Sequence, residues 1–112
     1  MGDMKRDFIE IVLTATSWQE AQAIADALLD AHLVACVEFI PIKSRYHWHK
    51  SIEQADEVKL IMQSIASNFK KVSKVVKNLH SYQTPALHAL PIADITDDAR
   101  QWLTVETRGV RR

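Results

Sequence analysis

Glycine is almost missing from this chain. Among 112 residues the only two are Gly2 and Gly109, one near each end. Between them no Gly-rich phosphate loop, dinucleotide fingerprint or nucleophile elbow can be written, which removes several large enzyme and nucleotide-binding classes. Backbone nests built without glycine stay open. Cysteine is as scarce: Cys36 stands alone, so no internal disulfide can form, as expected of the reducing cytosol. No apolar run approaches the ~20 residues that span a bilayer. Met1 to Asp7 is polar and mixed in charge, unlike a secretory signal, and Arg6 stands where a myristoylation motif starting at Gly2 wants Ser or Thr. A surplus of one charge is also lacking, with Lys+Arg and Asp+Glu at 14 each. Nucleic acid and anionic membranes both favour a basic surplus. These absences predict a cytoplasmic protein with neither nucleic acid nor membrane as a partner.

What is present is globular. Hydrophobic residues make up 47%, and the length suits one domain, expected over residues 8–107 between a polar tail at 1–7 and a C-terminal tail at 108–112. Phe8 to Thr14 is rich in β-branched residues and reads as a first strand. Ser17 and Glu20 form a capping box, and Ala21, Ile24, Ala25, Leu28 and Leu29 recur at helical spacing after it. Val34 to Ile42 reads as a second strand, Pro41 to Ser44 as a turn or bulge, and Arg45 to His49 as a returning strand. Glu53 to Asp56 reads as a loop, and Glu57 to Gln63 alternates as a continuation of the third strand after that irregularity. Ser67 or Asn68 can cap a second helix with Phe69, Val72, Val76 and Leu79 as its apolar stripe. A last strand, Ala86 to Pro91, and a short helix from Asp97 or Asp98 follow. The order βαββαβ plus a terminal helix is the α+β, ferredoxin-like pattern. Two crossover helices cover one face of such a sheet. The second strand is apolar on both faces (Ala35, Val37 and Phe39 against Val34, Cys36, Ile40 and Ile42), so the bare face calls for a second subunit.

Few residues announce chemistry. In Tyr46-His47-Trp48-His49, strand alternation puts the aromatics on one face and the histidines on the other. Two imidazoles so spaced can chelate a borderline metal, or they can simply face solvent. The aromatic pair fits an interface anchor better than a base-stacking platform, given the neutral charge. Cys36 has no cationic neighbour in sequence to activate it and reads as structural. His80 and Tyr82 follow the second helix, where a histidine can cap, ligate metal or act as a base. Lys70, Lys74 and Lys77 form a basic stripe, as solvated helix faces do. Asp97-Asp98 suits a helix N-terminus. No nucleophile can be paired with a base, so a non-enzymatic role is expected.

Together these segments resemble the CutA divalent-cation-tolerance family from Phe8 to about Leu103. The resemblance rests on Thr14 closing the first strand, Leu33-Val34-Ala35-Cys36-Val37, Ser44-Arg45-Tyr46-His47-Trp48, Ile52-Glu53 with Glu57, His80-Ser81-Tyr82 with Pro85, and Trp102. It departs from the family at Ser81 (usually Pro), Ala86 (Glu), Lys50 (Gly), Gln63 (Lys) and Ala99 (Tyr). Leu13 and Leu79 are aliphatic where some members offer metal a cysteine and a histidine. The resemblance implies a homotrimer whose long hairpins wrap neighbouring subunits, with Tyr46, Trp48, Glu53, His80 and Tyr82 in clefts between them. It implies a link to tolerance of divalent cations such as copper, weakly bound, with His80, His47, His49 and Cys36 as the candidate ligands. A second reading is a trimeric signalling module similar to the PII proteins, binding a small metabolite or anion, or a protein partner, in the cleft.

Overall fold

The computed structural model describes residues 7–107; the expected tails, apart from Asp7, lie outside the described residues. Four strands, β1 (Phe8–Ala15), β2 (Cys36–Trp48), β3 (Ser51–Ile65) and β4 (Leu87–Pro91), form one antiparallel sheet in the order β2-β3-β1-β4. Helices α1 (Trp18–Asp30) and α2 (Phe69–Leu79) make the two crossovers, and α3 (Asp97–Glu106) lies against β3. This is the expected α+β, ferredoxin-like arrangement. Among the described residues no helix is long and apolar enough to cross a membrane.

Alternation along the strands builds the core. Ile11, Leu13 and Ala15 of β1 pair with Met62, Leu60 and Val58 of β3, and all six are buried. The apolar stripes of α1 (Ala21, Ile24, Ala25, Leu28) and α2 (Val72, Val76) close over them. Two stripe residues expected inside lie outside. Leu29 and Leu79 are exposed, at 38% and 44%. Each sits at the last turn of its helix, beyond the sheet it would cover, and Val75 packs on the core in place of Leu79.

Helix caps follow local chemistry, with one correction. Ser17 accepts from the Glu20 N–H at 3.1 Å, as a capping box requires. Asn68 precedes α2 without a side-chain cap bond. Its buried amide is drawn inward, donating to the Leu33 carbonyl (3.2 Å) and the Thr107 carbonyl (3.4 Å). α3 starts at Asp97, as expected; Thr96 caps it, accepting from the Ala99 N–H, and Asp97 and Asp98 occupy the first turn where the helix dipole favours them.

The central part of the chain departs most from expectation. Pro41 to Ser44 is not a turn, and Glu53 to Asp56 is not a loop. β2 runs unbroken from Cys36 through Pro41 to Trp48, paired throughout with β3 from Gln63 to Ser51. The chain reverses only at His49-Lys50, both with positive φ (47° and 67°), as a two-residue hairpin loop demands. β2 is an edge strand, where a proline can leave its missing N–H on the free side. Thirteen residues at about 3.4 Å each account for most of the molecule's 47 Å long axis. The distal half of the hairpin reaches beyond the helices, so neither of its faces carries a burial signal.

The helix-free face of the sheet carries Val12, Ile61, Ile40, Ile42 and Leu90, interspersed with Glu10, Glu38 and Lys59. Ile40 and Leu90 are 42% and 47% exposed.

Candidate functional site

On this helix-free face, a cleft of about 730 Å³ opens between the hairpin and the segment that links α2 to β4. Strand alternation supplies one wall. Ser44, Tyr46 and Trp48 of β2 project to the side occupied by Thr14 of β1 and Glu57 of β3. Ser81 to Thr84 and Ala86 supply the other. The hydroxyl of Tyr82 donates to Glu57 Oε2 at 3.1 Å across the cleft. Glu57 is 6% exposed. A hydrogen bond with the Tyr46 hydroxyl, then burial, then the Glu57 carboxylate push the Tyr82 phenol well above its usual value. It therefore remains a protonated donor.

The linker wall is held by His80, whose side chain is fully buried. Its Nε2 lies 2.8 Å from the Thr14 carbonyl, and its Nδ1 accepts from the Tyr82 N–H at 3.0 Å. A carbonyl only accepts and a backbone N–H only donates, so the imidazole is the neutral Nε2–H tautomer with both nitrogens engaged. Glu20 completes the anchor. Its carboxylate reaches past Ser17, accepting from the Thr16 N–H (3.0 Å) and the Ser81 N–H (2.9 Å), with Oε2 3.4 Å from His80 Nε2. A proline at position 81 would have no N–H to give to this bond.

Burial raises the Glu20 pKa, but the bonds from Thr16 and Ser81 outweigh it, and the net shift is downward. A depressed folded pKa contributes stability that is full above the ordinary value of 4.5 and lost as pH falls through the folded value. Glu20→Gln should therefore melt below the wild type near neutral pH, with the gap closing under acid. Thermal melts of both proteins at about pH 7 and about pH 3 check this. A gap independent of pH would remove Glu20's charge from the account.

The expected site residues are dispersed. Tyr46, Trp48 and Tyr82 line the cleft. His80 stands behind it. Glu53 pairs with Tyr46 in register but is exposed on the hairpin, accepting from Ser51 Oγ at 3.2 Å. His47 is on β2, whereas His49 lies in the turn at φ 47° with its ring edge-on to Trp48 at 4.6 Å. The turn breaks the alternation that would put both imidazoles on one strand face. Cys36 opens β2 at the other end of the strand, its thiol 3.5 Å from Gln63 Oε1. Burial, then the Glu38 charge, raise its pKa, which disfavours the thiolate that binds metal. Among the described residues, no group of three or more His, Cys, Asp or Glu could hold a metal ion. Glu57, Glu20 and Ser81 carry the geometry yet stood out in sequence only as a strand residue, a helix cap and a departure.

The match to known proteins covers the same span as this fold. The family model described as CutA1 divalent ion tolerance protein matches residues 9–106. The chain belongs to the CutA1 divalent ion tolerance family. It is 41% identical over 98 residues to a divalent-cation tolerance protein CutA of Archaeoglobus fulgidus, covering 86% of this chain and 96% of the relative. A solved structure described as the periplasmic divalent cation tolerance protein CutA of that organism superposes with a TM-score of 0.88 at 37% identity, covering 90% of this chain and 99% of the other. The CutA1 structure from Oryza sativa gives 0.89 at 27% identity, with 95% and 98% covered. Family membership thus extends over the sheet, both crossover helices and α3, and includes both walls of the cleft.

Proposed function

We propose that the chain acts in divalent-cation tolerance as a homotrimeric binding protein, with the cleft as its ligand site and metal met weakly through imidazole. One observation carries the trimer: the helix-free face exposes Ile40 and Leu90, with Trp48 and Ile52 also exposed at the tip of the hairpin. Apolar surface on a sheet face favours burial, and an uncovered edge strand such as β2 is open to pairing with another chain. The role in this reading is binding, which the cleft's aromatic walls support. A cytoplasmic setting belongs to the proposal and rests on the single unpaired thiol, although the Archaeoglobus fulgidus relative is described as periplasmic.

Copper does not fit a preformed site within one subunit. His80 would have to release the Tyr82 N–H to free a lone pair, and Cys36 is held as a thiol. His47 and His49 are exposed, and three-fold symmetry supplies further copies. Affinity should be micromolar or weaker and should fall in acid, because protons compete for imidazole below ~6.5. Calorimetry with copper on wild type and on His47→Ala/His49→Ala, at about pH 7.5 and about pH 5.5, tests the metal. Sedimentation equilibrium of the same samples tests the assembly. A monomer at micromolar concentration sinks the trimer, and nanomolar copper binding indifferent to mutation and acid sinks the imidazole assignment.

A further inference from the structure

The cleft's lining is uneven in charge. Among the described residues no lysine, arginine or histidine lines it, and Glu57 is its only carboxylate. Glu57 as a whole residue is buried, with its carboxylate at the cleft wall. Oε2 accepts from Tyr82, while Oε1 has no hydrogen-bond partner among the described residues. Oε1 is open to the cleft, since it is not among the buried side-chain atoms left without a partner, and a carboxylate in an aromatic-walled cleft with no cationic lining draws a counter-charge. The walls around it are the rings of Tyr46, Trp48 and Tyr82 and the hydroxyls of Thr14, Ser44 and Ser81.

We propose that the cleft binds an aliphatic primary amine in its ammonium form, with Glu57 as the counter-ion. An ammonium brings three N–H donors, which match the free carboxylate oxygen and the hydroxyl acceptors. Aromatic faces attract the cation and cover an apolar stem. A volume of about 730 Å³ lies in the range of small-molecule sites. Other ligand classes fit less well. An anion finds no cationic side chain here. A hard divalent cation wants several carboxylates, a soft one wants thiolate or imidazole, and the cleft offers one carboxylate and neither of the others. This deepens the ligand-binding reading of the cleft and rests on it.

The test is titration of the assembled protein with n-butylammonium, n-butanol and butyrate, followed by calorimetry and by sedimentation of the same samples. Butylammonium should bind at least roughly tenfold more tightly than its neutral isostere, as one charge-assisted contact implies, and butyrate should not bind. Glu57→Gln should weaken butylammonium by roughly the same factor, while Tyr82→Phe, which frees the second carboxylate oxygen, should bind at least as well as wild type. Equal binding of amine and alcohol, a preference for butyrate, or an unchanged Glu57→Gln would each overturn the proposal. If Glu57→Gln fails to fold, the three ligands on wild type still decide. A trimer that prefers butyrate overturns the ammonium assignment alone; a monomer that prefers butylammonium upholds it and overturns the trimer alone.

Discussion

Replacing His80 by alanine is expected to destabilise the fold by on the order of 3 kcal/mol, the scale at which a buried polar network is broken. The imidazole is fully buried and both of its nitrogens are engaged. Its loss strands the Thr14 carbonyl and the Tyr82 N–H, and it leaves the Glu20 carboxylate without its neighbour. In a chain of this size the melting temperature should fall by roughly 12–24 °C. His80→Gln should recover part of the loss, because an amide can still donate to Thr14. Thermal melts of the three proteins make the comparison. An unchanged midpoint in His80→Ala would show that the linker wall is held by something else, such as the Ser81–Glu20 bond.

Trp48→Ala should weaken assembly, not folding. Trp48 lies at the end of β2, is 55% exposed in the single subunit and touches the ring of His49. A large indole on a protruding arm contributes little to its own core. In the proposed trimer it becomes an anchor, and truncation should cost about 2 kcal/mol, or roughly thirtyfold in the dissociation constant. Dilution series followed by sedimentation would show dissociation at higher concentration in the variant, with circular dichroism unchanged. An identical dissociation profile would place Trp48 outside any subunit contact.

Six of the elements were legible in whole or in part, mostly because burial imprints a period on sequence. β1 and the inner half of β3 alternate against the core, α1 and α2 show the helical stripe, and β4 and α3 are marked by Pro85 and by the acidic first turn. The outer hairpin gave no such imprint. Pro41, Lys43 and Ser44 sit on an edge strand whose faces are wet, so turn-forming residues there are tolerated and misread. His49-Lys50, the actual turn, has none of the Asn-Gly chemistry that flags one. The cleft was legible in its aromatics, Tyr46, Trp48 and Tyr82, since rings on wet segments need a reason. Glu57 was not, because one acidic residue in an alternating strand looks the same whether solvent or a closed pocket lies over it. Nor could Glu20's reach to Ser81 be seen, since 61 residues separate them and only the fold brings the ends of α1 and α2 together.

Three residues among those described take the left-handed backbone conformation without being glycine: His32 (φ 56°), His49 and Lys50. A side chain in that conformation costs the folded state roughly 1–2 kcal/mol. Against this, a residue other than glycine narrows the ensemble of the denatured chain, which offsets roughly 0.4–1 kcal/mol. Much of the penalty is thus returned through disorder that the chain never has to lose. What remains is used, because each loop gains a side chain where glycine would leave none. The His32 ring donates from Nδ1 to the Glu106 carbonyl at 2.9 Å, latching the turn after α1 to the end of α3 across 74 residues of sequence. The His49 ring rests against Trp48. At His32 a loop that would be a passive hinge if it carried glycine serves instead as a fastener between distant parts of the backbone.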